Sequence, residues 1–261
     1  MKYYRPTTFD ELYSISDQDF TLFVGGTDLI PRYERGQKLP KIIIDLKKLP
    51  EFIGINKVGD NIAIGAGTTI EDIKNSNLIK KHFKALWLAT TEFGSVQIRN
   101  RATIGGNICN ASPAGDTLPA LYAFNSKLLL NKKNENRTVP IDEFILGPGK
   151  IEIRDEEILQ SLILPLSSSN SMFYKLGLRE AMAISVFNFA IVYGKNELTI
   201  ALGAIAPTII KLIGLKELNI DQILEQVDSA ISPIDDIRAT ANYRRKALQN
   251  MLRFELSKII K

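Results

Sequence analysis

The sequence predicts an α+β chain in two parts, and three observations carry this. Short β-type runs, such as KIIIDL at 41–46 and the alternating NIAIGAG at 61–67, are interleaved with helix-type segments. A polar stretch, LSSSN at 166–170, interrupts the pattern and marks a boundary near Ser168. Beyond it the chain reads as a meander of three strands followed by helices.

Taken in order, Thr7 or Thr8 ahead of Asp10 and Glu11 is a helix start, with the helix running to about Ile15. Residues 22–24 form a short strand that breaks at Gly25-Gly26-Thr27-Asp28. The run 41–46 suits a buried strand and 61–67 a half-buried one. Helices are expected over 69–79 and 82–91; His82 opens the second, and Phe83, Leu86 and Trp87 share one of its faces. A short helix at 118–124 carries Pro119 in its first turn. A strand at 126–131 leads into the hairpin-like NKKNENRT, and 157–165 is another strand. The meander comprises 172–178, 185–193 and 198–205, its last two strands joined at Gly194-Lys195-Asn196. One helix lies near 221–230. A longer one starts about Ile234, where Ser232 and Asp235 form a capping pair around Pro233. On it Leu248, Met251, Leu252 and Leu256 make an apolar stripe suited to core or to a partner contact, beside Tyr243, Arg244 and Arg245.

Composition excludes several kinds of chemistry. Hydrophobic residues are 45% of the 261 and charged residues 24%, enough to bury a sizeable core. The net charge of +4 is spread rather than massed, which argues weakly for an anionic ligand and hardly at all for nucleic acid, so no nucleic-acid partner is expected. Cys109 is the only cysteine and His82 the only histidine, so four-cysteine clusters, histidine metal sites and a Ser-His-Asp triad lack their parts. No catalytic residue stands out. The opening MKYYRPTTFDEL has no apolar signal core and no run reaches membrane-spanning length, so the expectation is a soluble, cytoplasmic protein without membrane insertion. Hard chemistry then has to come from something bound.

Two glycine-rich stretches are candidates to bind it. The first is VGGTDL at 24–29. The second lies in RNRATIGGNICNASPAGDTLP at 99–119, where Gly105, Gly106 and Gly115 sit among Thr103, Asn107, Asn110, Ser112 and Asp116. The second has neither a helical face nor strand alternation, so it reads as a loop whose backbone N–H groups are available to a phosphate. An ordinary surface loop and, for the first stretch, a plain tight turn remain open alternatives. Neither stretch is a G-x-G-x-x-G fingerprint or a P-loop.

Together, VGGTDL and TIGGNICNASPAGD (103–116) resemble the two flavin-binding signatures of one family. This is the FAD-binding medium subunit of molybdenum hydroxylases: xanthine dehydrogenase, carbon monoxide dehydrogenase and aldehyde oxidoreductases. YYRPTTFDEL, EEILQSLILP, GAIAPT and DDIRATANYRRKAL are similar to family segments in the same order. The resemblance implies a two-subdomain FAD-binding fold of the vanillyl-alcohol-oxidase-like type over 1–167, with subdomains of about 1–56 and 57–167. A C-terminal three-stranded sheet with a helical bundle would occupy 168–261.

It also implies roles. Val24, Gly25, Gly26, Thr27, Asp28 and Leu29 would face Ala102, Thr103, Gly105, Gly106 and Asn107 across the FAD pyrophosphate, with Asn110 nearby. Asp116 would contact a ribityl or ribose hydroxyl. Phe93, Gly94 and Leu159 would line the cofactor, and Lys175 would approach the N1–C2=O edge of the isoalloxazine, unless it is a solvated strand lysine. FAD would be noncovalent, with Cys109 a packed small residue. Molybdopterin and [2Fe–2S] clusters are expected on partner chains, a large and a small subunit, with NAD⁺, oxygen or a quinone as soluble electron acceptor. A stand-alone FAD oxidoreductase acting on a small molecule is the alternative.

Overall fold

The computed structural model describes residues 1–15, 20–133, 135–166, 168–195 and 197–260. Residue 167 of the expected linker and residue 196 of the expected turn lie outside the described residues. At the start, β1 (Lys2–Tyr4), β2 (Phe20–Phe23) and β3 (Ile42–Asp45) form a parallel sheet in the order β1-β3-β2. Helices α1 (Phe9–Tyr13) and α2 (Leu29–Glu34) connect them. α1 begins where the sequence predicts. The Thr8 hydroxyl accepts from the Glu11 N–H at 3.2 Å, and the Glu11 carboxylate accepts from the Thr7 N–H at 2.7 Å.

A turn at Pro50–Phe52 leads to β4 (Ile55–Val58) and β5 (Asn61–Gly65). A helical stretch follows: α3 (Ile70–Asn75), α4 (Asn77–His82), α5 (Lys84–Thr91), α6 (Val96–Arg99), α7 (Ile104–Asn110) and α8 (Leu118–Ala123). Then come β6 (Lys127–Lys132), β7 (Glu135–Pro140), α9 (Ile141–Phe144), the ribbon β8 (Ile145–Gly147) and β9 (Lys150–Ile151), and β10 (Ile158–Pro165). β10 enters the middle of an antiparallel sheet ordered β4-β5-β10-β6-β7, which suits its buried Ile158, Leu159, Leu162 and Leu164.

The helix expected over 69–79 is two helices, because Ser76 ends α3 and its hydroxyl caps α4 through the Ile79 N–H. His82 closes α4 rather than opening the next helix. Phe83 leaves helical geometry (φ −134°, ψ 59°) and buries its ring edge-on against Phe124, centroids 5.0 Å apart.

The C-terminal sheet runs β11 (Asn170–Leu176), β12 (Phe187–Tyr193), β13 (Leu198–Gly203) and β14 (Ile210–Leu212), antiparallel and in chain order. β14 is a fourth strand beyond the three expected; three half-buried residues are too few to display a period of two. Both faces of this sheet are covered. Phe187, Phe189, Ile191, Ile200 and Leu202 pack under α10 (Ile220–Ala230) and α11 (Ala241–Ile259). Phe173, Ala190, Val192 and Ala201 join the core of the first part, where α5 and α8 meet the sheet.

α11 starts at Ala241, not near Ile234. Thr240 is its cap, accepting from the Tyr243 N–H at 3.2 Å, while the Ser232 N–H is drawn to the Ile205 carbonyl at 3.0 Å. The stripe Leu248, Leu252 and Leu256 is core, each leucine contributing roughly 2 kcal/mol relative to exposure. Arg244, in line with the stripe, is fully buried: its guanidinium donates to the carbonyls of Val186 and Ala204 and to Asp236 at 2.6 Å. The stripe is therefore not an exposed partner contact.

Candidate functional site

β2 ends at Phe23, whose carbonyl accepts from the Leu46 N–H at 3.0 Å, and the chain then turns through Val24–Leu29 along the end of the parallel sheet. A Cβ on Gly25 would lie 2.1 Å from the Arg101 carbonyl oxygen, so only glycine lets this turn pack on the residues that open the second motif. Gly26 has φ +74°. Among the described residues, the N–H groups of Gly25, Gly26, Thr27 and Asp28 find no acceptor in the chain; the Ile30 N–H is the first to bond back, to Gly26 at 3.0 Å. These are the available donors of the site.

The second motif is not a loop with free N–H groups. Residues Ile104–Asn110 form α7, and its first turn is fully paired. The Ile104 N–H donates to Thr68, Gly105 to Ala66 at 2.8 Å, Gly106 to the Thr103 hydroxyl at 3.2 Å and Asn107 to the Thr103 carbonyl at 3.0 Å. Two glycines in a seven-residue helix leave too few side chains to display a face, which is why periodicity misses it. Gly105 is needed for close approach, because a Cβ there would lie 2.6 Å from that of Ala66. Gly106 differs: only the Thr103 hydroxyl lies within 4 Å of its Cβ position.

The two motifs share one cleft of about 500 Å³, inside the range of cofactor sites. Val24, Gly25, Gly26, Thr27, Asp28 and Leu29 line it, with Ala102, Thr103, Gly105, Gly106, Asn107 and Asn110; Phe93, Leu159 and Ile151 add apolar wall. Arg32 ties the two sides, bonding Asp28 at 2.6 Å and the Asn110 side-chain oxygen at 2.8 Å. Asn107 accepts from the Thr117 hydroxyl at 2.6 Å, which leaves its amide nitrogen to donate.

Residues 1–167 match the family described as the FAD binding domain in molybdopterin dehydrogenase. The chain belongs to this family. It is similar to the xanthine dehydrogenase FAD-binding subunit of Escherichia coli O157:H7, 30% identical over 278 residues, covering 99% of this chain and 95% of that one. It is also 34% identical over 194 residues to the nicotinate dehydrogenase FAD-subunit of Eubacterium barkeri, covering 71% of this chain and 66% of that subunit. Among solved structures it superposes on a chain of carbon monoxide dehydrogenase from Hydrogenophaga pseudoflava with TM-score 0.88 and 25% identity, covering 97% and 95% of the two chains.

The residues present fit the cofactor of this FAD-binding family. A row of N–H groups without a partner among the described residues suits a diphosphate, Gly106 leaves space that only the Thr103 hydroxyl approaches, and the apolar wall suits a flat ring. The Cys109 thiol also lines the cleft, and burial pushes it up to about 12, which leaves it a poor nucleophile. Among the described residues, no group of three His, Cys, Asp or Glu could hold a metal, and no helix is long and apolar enough to cross a membrane.

Three residues of the sequence-based set are not among those lining the cleft: Gly94, Asp116 and Lys175. Gly94 (φ +46°) follows Phe93, and the carbonyls of both accept from the buried Arg99 at 3.2 and 3.1 Å. Arg99 is itself held by Glu71 at 2.6 Å. Asp116 and Lys175 pair with each other at 2.7 Å, Lys175 also donating to the Glu92 carbonyl at 3.0 Å. Ser185 and Asn188 donate to the other oxygen of Asp116 at 2.8 and 3.2 Å. Burial pushes the Asp116 carboxyl up, against the pull of Lys175 and these donors. Sequence reasoning missed Arg99, Glu71, Ser185 and Asn188; the pairs Arg99–Glu71, Ser185–Asp116 and Asn188–Asp116 join residues 28 to 72 positions apart, which no local pattern records.

A larger cavity, about 890 Å³, opens between Ser112, Pro113 and Ala114 and the C-terminal residues Leu178, Met182, Ile184 and Ile237.

Proposed function

We propose that this chain is the FAD-carrying electron-transfer subunit of a molybdopterin-dependent hydroxylase complex, passing electrons from [2Fe–2S] clusters on a partner chain to a soluble acceptor. The observation that carries the reading is the cleft. Four unpartnered backbone N–H groups share it with a helix start held close by Gly105. Bound FAD supplies the electron uptake and release that none of this chain's side chains provides.

The N–H groups of Gly25, Gly26, Thr27 and Asp28 would hold the diphosphate without full counter-charges. The Thr103 hydroxyl and the Asn107 amide nitrogen would add side-chain donors, and Gly106 would leave room for the phosphates. Phe93 and Leu159 would exclude water from the ring system. The Asp116–Lys175 pair, steadied by Ser185 and Asn188, lies outside the residues that line the cleft, and would meet the ribityl chain or the isoalloxazine only where the cofactor extends beyond them. We assign 1–167 to FAD binding and 168–261 to a C-terminal domain. Partners would be a molybdopterin-binding large subunit and a [2Fe–2S] small subunit, in the cytoplasm, with neither nucleic acid nor membrane involved.

The test is purification of the native complex, with metal content, flavin content and chain stoichiometry measured together. Two further chains, molybdenum and iron should accompany this one. The isolated FAD-loaded chain should show at most slow NADH–dye or oxidase activity and no oxidation of purines, aldehydes or carbon monoxide. Enzymatic rates from the pure chain would overturn the complex and favour a stand-alone oxidoreductase. A second expected outcome concerns attachment: acid precipitation should release all yellow chromophore to the supernatant, because the Cys109 thiol is held up to about 12. Colour left on the pellet would contradict this.

A further inference from the structure

Asp45 ends the central strand of the parallel sheet, and its side chain is 1% exposed. One oxygen accepts from the Tyr3 hydroxyl and pairs with Lys47 Nζ at 3.2 Å and Arg5 Nε at 3.4 Å; the other accepts from the Lys47 N–H at 3.0 Å. Burial pushes this carboxyl up, but the donors of Tyr3 and Lys47 outweigh it and hold it below its ordinary value. Asp45 is thus a buried anion that fixes the Lys47 ammonium.

Lys47 spends that fixed position on one backbone group. Its Nζ donates to the Val24 carbonyl at 3.2 Å and lies 4.5 Å from the Phe23 ring centroid. The Val24–Gly25 peptide is trans, so its C=O and N–H point in opposite directions. Holding the carbonyl on the Lys47 side therefore turns the Gly25 N–H the other way. That N–H is the first of the donors without a partner among the described residues. Val24 and Gly25 line the cleft, and Lys47 is not among its lining residues.

We infer that Lys47, braced by Asp45 and Tyr3, is a positioning residue that aims the first N–H of the cradle at the FAD diphosphate. This rests on the proposed FAD site, and it assigns a role to a lysine outside both glycine motifs. The ammonium acts through the Val24 carbonyl and does not need to touch a phosphate.

The test uses the full chain, freed of flavin and titrated with FAD, as wild type and as Lys47→Met, Lys47→Arg and Asp45→Asn. Lys47 is partly exposed, so the thioether should be accommodated. Lys47→Met should weaken FAD binding roughly tenfold, the scale of one charge-assisted hydrogen bond. Lys47→Arg should recover most of the loss, and Asp45→Asn should fall between. Melting of the flavin-free Lys47→Met chain should fall modestly, because the buried Asp45 keeps Tyr3 and Arg5 but loses Lys47, and exchange of the Gly25 amide in the FAD complex should be faster than in wild type. Wild-type affinity in Lys47→Met, or equal losses in Lys47→Met and Lys47→Arg, would overturn the inference. So would a loss of affinity with no faster exchange at the Gly25 amide. If Lys47→Met does not fold, the affinities of Lys47→Arg and Asp45→Asn decide in the same way. Failure of the wild-type chain to bind FAD would instead overturn the FAD site itself.

Discussion

Gly25→Ala should yield a chain that folds with reduced stability and carries almost no flavin. The added methyl would sit 2.1 Å from the Arg101 carbonyl oxygen and 3.3 Å from the Ala102 Cα, both backbone atoms with no rotamer to escape into. The turn must lift away from the second motif, at a cost of about 1–3 kcal/mol for overpacking. Lifting it also moves the Gly25, Gly26, Thr27 and Asp28 N–H groups away from the opposite wall. The ratio of flavin to protein absorbance and the melting temperature read both consequences. Gly106→Val separates them. Its Cβ position meets only the Thr103 hydroxyl at 3.0 Å, and valine is no worse than glycine in a helix, so melting should stay close to wild type while flavin is lost. Full flavin occupancy in both variants would mean that the cofactor does not lie along this seam.

Arg244→Met should be the most destabilising single change in the C-terminal part. It removes a fully buried guanidinium that serves the Val186 and Ala204 carbonyls, leaving both short of a donor, and takes one of the two arginine partners of Asp236. Two buried carbonyls left without their donor cost about 2–4 kcal/mol, which for a chain of this size lowers the melting temperature by roughly 10 °C. Arg245→Met, one residue on, breaks an exposed pair with Asp228 and should cost less than about 1 kcal/mol. Equal losses in the two would contradict the buried-anchor reading.

Acid gives an independent arm. The hydrogen bonds from Arg238 hold the Asp236 carboxyl well below its ordinary range. Its folded value is thus below its unfolded one, so the stabilisation is present at neutral pH and is lost progressively as pH falls below about 4. Asp236→Asn should be less stable at neutral pH and flatter on acidification.

Much of this was readable beforehand where local pattern and tertiary role agree. The start of α1 at Thr8, the runs of β3 and β5, and the meander strands were legible because capping and alternation are local signals. The stretch from Ser232 to Asp235 misled for the same reason. It has the composition of a cap, but the Ser232 N–H is claimed by Ile205, 27 residues earlier, and the Asp235 carboxylate accepts instead from the Ala241 N–H at the start of α11.

By itself, the amino-acid sequence determined that this chain is α+β, that it lacks the cysteines and histidines for its own redox or metal chemistry, and that two glycine motifs carry its family resemblance. Only the tertiary structure decided which motif offers free donors. Both are rich in glycine and hydroxyls, but Thr68 and Ala66 of the neighbouring segment satisfy the start of the second, while the N–H groups of the first find no partner among the described residues. It also decided that Lys47 acts on Val24 and that Arg244 is core. A hydrogen bond to a carbonyl dozens of residues away depends on how strands and helices stack, and no spacing along the chain records that.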